Sequence, residues 1–255
     1  MDENTIKKLN RINLDFYNTT AKNFDDARQY FWQGWDSLIK YFEYFNQLEL
    51  LDLGCGNTRF FQFIKNHLPD KNINYLGLDS NHELLTFAQE NFDSMVEEKK
   101  GNFELNETDI VTSLVEKKDF LMEKNFQVIV SFGVFHHIPS YDLRLQLLEF
   151  MKSKITDDGL IIISLWQFME FERFRKKIVN DSQIENVNLK NLEINDFILD
   201  WKKGKEANRY CHFVDEAEQN KLIQQSNLEL IETFRADGKE GNVNIYLVLK
   251  KCRIF

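Results

Sequence analysis

Leu48-Glu49-Leu50-Leu51-Asp52-Leu53-Gly54-Cys55-Gly56-Asn57-Thr58-Arg59-Phe60 is the stretch on which the reading of this chain turns. Its leucines, with few breaks, read as a strand buried on both faces, as in a parallel sheet. Gly54 and Gly56 then allow a sharp turn and a close approach of backbone to ligand. Asn57 and Thr58 are good first residues for a helix running through Phe60, Phe61, Phe63 and Ile64. Strand, glycine turn and helix make the first half of a nucleotide-binding βαβ unit. The second half follows at Asn74–Asp79, a short strand ending in an acid about twenty residues beyond the glycines, where ribose hydroxyls are gripped. A plain crossover whose Asp79 caps a helix is the structural alternative. The third glycine position of the dinucleotide fingerprint holds Arg59, which disfavours a pyrophosphate-bearing ligand.

Composition bounds the rest. The chain has 255 residues, enough for one α/β domain with additions. A net charge of −9 provides no global field toward nucleic acid or membrane. Cys55, Cys211 and Cys252 are odd in number and far apart, which points to neither a disulfide framework nor a metal cluster. No leader and no long apolar run are read, so a soluble cytoplasmic protein is expected.

Outward from the turn, residues 1–16 read as a frayed or loosely docked helix. From Tyr17 to Phe45 apolar residues recur at helical spacing, so residues 1–46 form a helical cap over the sheet edge. Asn81–Phe92 reads as a helix and Phe103–Thr108 as a strand, with Asp109 a candidate N-cap for a helix beginning near Ser113. Phe126–Phe132 is a strand whose carboxyl end carries the loop Gly133–Pro139, and open parallel sheets bind ligands at that edge. Within this loop His136 and His137 point different ways and have no carboxylate or cysteine at ligand spacing, so no metal is expected. Tyr141–Ile155 is an amphipathic helix. Asp157-Asp158-Gly159 turns into the strand Leu160–Leu165, and Trp166 ends it near the active edge.

Residues 167–214 form an insertion with basic clusters at Arg173–Lys177 and Trp201–Lys205, then Asn208-Arg209-Tyr210-Cys211-His212-Phe213. Cations interleaved with rings suit a single-stranded nucleic acid; a solvated face with Trp201 and Tyr210 in a core is the alternative. Asp215–Ser226 is the last helix. Leu228–Phe234 and Asn242–Lys250 form a hairpin around Asp237–Gly241, the second strand inserted antiparallel in the sheet. The fold expected is a doubly wound, Rossmann-like, seven-stranded α/β sheet in a single domain with a substrate-side insertion.

Three of these stretches, LDLGCGNTRF, LGLDS and VIVSFGVFHHIPS, occur in order over about residues 17 to 165 and resemble the signature set of class I S-adenosylmethionine-dependent methyltransferases. The resemblance implies S-adenosylmethionine as cofactor, with Asp52, Gly54, Cys55, Gly56, Asp79, Ser80 and Ser131 around it. It also implies that Asp109 accepts a hydrogen bond from the adenine amino group while Ile110 packs on the ring, and that an N-terminal segment folds over the cofactor. Arg28, otherwise a solvated charge, then pairs with a carboxylate of cofactor or substrate.

Arg28 with Trp32 and Trp35, GVFHHIPS with Arg144, Trp166, WKKGK and RYCHF are similar to the transfer-RNA wobble-uridine carboxymethyl methyltransferases. That group includes the methyltransferase domain of AlkB-homologue transfer-RNA hydroxylases. The likeness implies esterification of a 5-carboxymethyluridine carboxylate, transfer RNA as partner, and in some relatives a small zinc-binding activator. Cys211 replaces an aromatic residue of that family's run. A carboxylate is already ionised at pH 7, so no general base is required. Arg209, with Arg28, His136 or His212, is expected to orient the acceptor, and Trp166, Trp201 and Tyr210 to offer surfaces to it. A small-molecule acid, amine or hydroxyl acceptor and a non-catalytic cofactor-binding scaffold are the other readings.

Overall fold

The structure, a computed structural model, describes residues 1–27, 30–95, 100–121, 124–179, 187, 189–202 and 204–252. Its core is a seven-stranded sheet of order β3-β2-β1-β4-β5-β9-β8. The strands are β1 (Gln47–Leu53), β2 (Asn72–Asp79), β3 (Phe103–Glu107), β4 (Phe126–Phe132), β5 (Ile155–Trp166), β8 (Leu228–Ala236) and β9 (Asn244–Lys251). β1 through β5 pair in parallel, and β9 runs antiparallel between β5 and β8, as the alternation in its sequence predicts.

Both faces are covered, which explains the nearly unbroken apolar run of β1. Leu51 and Leu53 face one core with Ile129, Ile161 and Ile163; Leu48 and Leu50 face the other with Val128, Val130 and Ile162. The first core is closed by α5 (Ile110–Val115), α6 (Tyr141–Lys154) and α8 (Glu216–Ser226). The second is closed mainly by α3 (Arg59–His67), α2 (Ile39–Glu43) and the 3-10 turn Gln33–Leu38. Fully burying one such aliphatic or aromatic side chain contributes about 1.5–3 kcal/mol.

The N-terminal segment differs from expectation. It is one helix, α1 (Glu3–Asp26), docked through buried Leu9 and Phe16 rather than frayed over residues 1–16. Asp2 caps it by accepting from the Thr5 amide at 3.0 Å. Nor does the helical spacing from Tyr17 to Phe45 give one helix: among the described residues, α1 ends at Asp26 and a 3-10 turn begins at Gln33. The strand at Ile155–Trp166 starts five residues earlier than its apolar run, with a register shift opposite Phe126 and Val128.

Within the insertion lies an antiparallel ribbon, β6 (Asp196–Trp201) with β7 (Ala207–His212), preceded by the short helix α7 (Glu172–Arg175). A further helix, α4 (His82–Ser94), follows β2. Strand order reverses at β1, between β2 and β4, so the crevice beyond the carboxyl ends of these strands is where a ligand belongs. Among the described residues no helix is long and apolar enough to cross a membrane.

Candidate active site

A cavity of about 550 Å³ opens at that crevice. Its floor is the glycine turn. Gly54 (φ +73°) and Gly56 (φ +53°) both occupy the left-handed region. A Cβ on Gly56 would meet nothing within 4 Å, whereas one on Gly54 would fall 2.3 Å from Val134 Cγ2. Thr58 is also left-handed, at φ 56°, and caps α3 without a side-chain hydrogen bond. A β-branched residue there costs on the order of 1–2 kcal/mol, the kind of strain found at ligand-binding turns.

Asp79 holds the turn in place. Its two oxygens accept from the amides of Gly56 and Asn81, each at 2.9 Å, and burial pushes its carboxyl up. Asn81, not Asp79, caps α4. Asp52 is 2% exposed and accepts from the Tyr75 hydroxyl at 2.9 Å. Burial, joined by the charge of Asp79 and opposed by the Tyr75 hydrogen bond, raises its pKa to about 7. Asp109 is the N-cap of α5, which begins at Ile110 rather than near Ser113; its oxygens accept from Thr112 and from Asn10 Nδ2. Cys55, Ser80 and Ile110 also line the cavity. Ser131 does not: it is fully buried in β4 beside β1, its hydroxyl 3.4 Å from the Leu53 carbonyl.

α1 roofs the cavity with polar residues at helical spacing. Asn10 reaches Asp109, Asn13 spans the His137 carbonyl and the Tyr210 amide, Tyr17 meets His137 Nε2 at 3.0 Å, and Asn18 accepts from Asn81. Sequence reading missed Asn10 and Asn13, although their spacing on one helix face was available as a signal; Asn18 lies outside this cavity lining. Sequence reading also noted Arg59 only as a departure from a fingerprint. The Arg59 guanidinium lies over Trp32 and Trp35, donates to the Tyr30 carbonyl, and is lowered by burial to about 10.

At the other end stands Arg209, 6% exposed, with its guanidinium carbon 4.8 Å from the ring centre of Trp166, 5.4 Å from Phe16 and 5.8 Å from Trp201. Its Nε is buried without a hydrogen-bond partner, and three rings lie about its guanidinium. Lys177 lies over the far ring of this cluster, Trp201, and lines the cavity too. His136 joins the two ends, 5.2 Å from Trp166 and 4.1 Å from His137 between ring centres.

Two expected site residues are elsewhere. Tyr210 is fully buried against Leu9 and Ile198, and its hydroxyl donates to Asp196 at 2.6 Å. His212 lies between Asp196 (2.7 Å) and Glu218 (2.8 Å). Burial works against its charged form, but these hydrogen bonds outweigh it and raise its pKa. Buried Arg144 completes the cluster, bridging Glu193, Glu218 and the Ile138 carbonyl. These residues tie the ribbon to α6 and α8. The physical reason is strand alternation: Arg209 and Tyr210 are adjacent on β7 and point to opposite faces. Arg28 and Lys203 lie outside the described residues.

Within the basic clusters, Arg173 pairs with Glu240, Lys176 with Glu172, and Lys202 with Asp200. Trp201, though it lines the cavity, is buried beneath Arg209 rather than open for a stacked base. Tertiary structure also brings Cys211 to His136 and His137, ligand atoms within 4.8 Å of one another, which sequence spacing hides. His137 spends both nitrogens on Tyr17 and the Tyr210 carbonyl, and burial pushes the Cys211 thiol to about 12.

Compared with known families, residues 16–233 match the methyltransferase domain. The chain belongs to that family. Its fold is shared with an S-adenosylmethionine-dependent methyltransferase from Clostridium acetobutylicum (15% identity, 92% of this chain and 99% of that one, TM-score 0.61). It is shared also with magnesium protoporphyrin IX methyltransferase from Synechocystis PCC 6803, solved with S-adenosylhomocysteine (14% identity, 93% and 97%, TM-score 0.60). A Methanosarcina mazei S-adenosylmethionine-dependent methyltransferase is 17% identical over 82% and 95% of the two chains, with TM-score 0.59. At these identities the likeness is one of fold. No curated protein matches the sequence. The residues of this methyltransferase fit S-adenosylmethionine. Open space stands over Gly56, and Asp52, Asp79 and Asp109 supply acceptors for a cationic, hydroxyl-bearing nucleoside.

Proposed function

We propose that this methyltransferase transfers the methyl group of S-adenosylmethionine to a carboxylate of its acceptor, held by Arg209. The observation that carries this reading is the guanidinium itself, buried among three rings with an unpartnered Nε. A buried charge is costly unless an anion or hydrogen-bond acceptor compensates it. An acceptor carboxylate supplies both.

The cofactor contributes a methyl group already activated on a positive sulfur. Asp79 and Asp109 offer acceptors to its ribose and adenine, and Asp52 a negative charge to its cationic end. Arg209 fixes the acceptor carboxylate through one oxygen so that the other is directed at the reacting carbon. Phe16, Trp166 and Trp201 exclude water, which favours the meeting of opposite charges. No residue has to remove a proton.

The acceptor implied by the sequence motifs is the carboxylate of a 5-carboxymethyl-type wobble uridine in transfer RNA. A small-molecule acid is the second reading, favoured by the limited cavity and by the pairing of Arg173, Lys176 and Lys202 with acids. The test is incubation with methyl-labelled cofactor and either carboxymethylated transfer RNA or a panel of small carboxylic acids, followed by nucleoside analysis. Base-labile label in the nucleoside supports the first and in the acid fraction the second. Base-stable label in either, or unchanged turnover by Arg209→Gln, overturns the carboxylate reading.

A further inference from the structure

Two arginines line the cavity among the described residues, Arg209 at the ribbon end and Arg59 at the first turn of α3. A guanidinium has five N–H donors. Among the described residues Arg59 spends one of them, on the Tyr30 carbonyl, and it lies over the rings of Trp32 and Trp35. Burial works against its charge; Asp237 and Asp25 support it through their fields, but both carboxylates are bonded elsewhere. Asp237 accepts from the Gly34 amide (2.9 Å), Asn244 Nδ2 (2.8 Å) and the Tyr246 hydroxyl (2.6 Å), and Asp25 from Asn57 Nδ2 (2.6 Å). α3 has no acid in its first turn, where the helix dipole disfavours a cation. The indole N–H of Trp35, buried on the same wall, is also without an acceptor. Donors desolvated in this way call for an anion.

The order of the strands indicates which anion. Asp109 lies beyond β3 and Asp79 ends β2, so a nucleoside with its base at the first and its ribose at the second extends past β1 toward β4. Arg59 stands on that line. Its helix leaves the glycine turn of β1, and its two rings reach the tip of β4. Trp35 is 5.8 Å from Phe132 between ring centres, and a Cβ on Gly133 would fall 3.5 Å from Trp32 Cη2. Arg209, over Trp166 at the end of β5, is a strand further on. Beyond its sulfur S-adenosylmethionine continues as an amino acid, whose carboxylate is the one anion of the molecule.

We propose that Arg59 seats the carboxylate of the cofactor's methionine tail and makes the protein select donors that carry it. This rests on the cofactor assignment and is independent of the acceptor.

Calorimetric titration of S-adenosylmethionine and its decarboxylated form into the full chain tests it, since the two differ in the carboxylate alone. The wild type should bind the intact cofactor at least about tenfold more tightly, the effect of a hydrogen bond between charged groups. Arg59→Gln should bring the ratio close to one by weakening the intact cofactor, with the decarboxylated form nearly unchanged. Arg59→Lys, which keeps the charge without the planar fork, should fall between. A wild type with no preference, a ratio that neither substitution lowers, or equal loss for both ligands as packing damage would give, overturns the proposal. Failure of the wild type to bind either ligand overturns it together with the cofactor assignment, whereas base-stable label in the acceptor overturns the carboxylate reading alone.

Discussion

At the glycine-turn end the cavity is lined by Asp52, Asp79 and Asp109; at the ribbon end it is lined by Arg209 and Lys177. The acids sit where β1, β2 and β3 run out: Asp52 is the next-to-last residue of β1, Asp79 the last of β2, and Asp109 lies two residues beyond β3. The cationic end is assembled from α1, the end of β5 and both ribbon strands, which bring Phe16, Trp166, Trp201 and Arg209 together. One cavity thus gathers acids near the glycine turn and cations at the ribbon end, alongside Arg59 and Asp237 on its wall, a division that the proposed cationic donor and anionic acceptor would match. The difference teaches that the acidic end follows from local strand-to-turn geometry, while the cationic end depends on distant segments docking correctly.

Charge separation is the feature most open to attack. Arg209→Gln should lower methyl transfer by at least about a hundredfold, or about 2.7 kcal/mol, while leaving cofactor affinity intact. Parallel turnover and calorimetry would show this; equal damage to both would mean that the two ends are not separable. The two glycines sharpen the comparison from the other side. Gly54→Ala combines left-handed strain with a clash against Val134 and should cost about 2–5 kcal/mol of stability in urea unfolding. Gly56→Ala carries only the strain, about 1–2 kcal/mol, and should instead lose more in cofactor affinity, because its methyl enters the cavity.

Smaller effects should appear with pH, in different windows. Asp52, with its pKa raised to about 7, is penalised by the fold when ionised. The ligand-free protein should therefore lose stability as pH rises from about 4 toward 7. A cationic ligand favours the ionised form, so cofactor affinity should increase between pH 6 and 8, and Asp52→Asn should flatten that rise, as titration calorimetry would report. The contribution of His212 is fully present below its unfolded value of 6.5 and lost as pH rises through its higher folded value. Thermal unfolding should thus show the ribbon loosening on the alkaline side, and His212→Gln should remove that slope while leaving the acid end unaffected.

Legibility in the sequence followed the same division. Gly54, Gly56, Asp79 and Asp109 were readable because strand, turn and helix are encoded within a dozen residues and chain spacing carries their chemistry. Ser131 shows the limit of that reading: it occurs in a matching motif but is fully buried against the Leu53 carbonyl and does not line the cavity. Arg209, Tyr210 and His212 looked like one cluster along the chain. Reading Asn208–His212 as a strand would have divided them, since alternate side chains face opposite ways. The docking of α1 was hidden differently: a largely polar segment gives little hydrophobic signal, and its cavity-facing hydrogen bonds exist only once the strand tips have been brought beneath it.

The sequence by itself determined a methyltransferase-type α/β sheet, the glycine turn and its acids, because each depends on backbone conformations and periodicities that neighbouring residues impose. Only the tertiary structure decided which cation enters the cavity, which rings enclose it and which histidine is diverted into an ion cluster. Those outcomes depend on contacts between segments up to about two hundred residues apart, whose pairing no local pattern specifies.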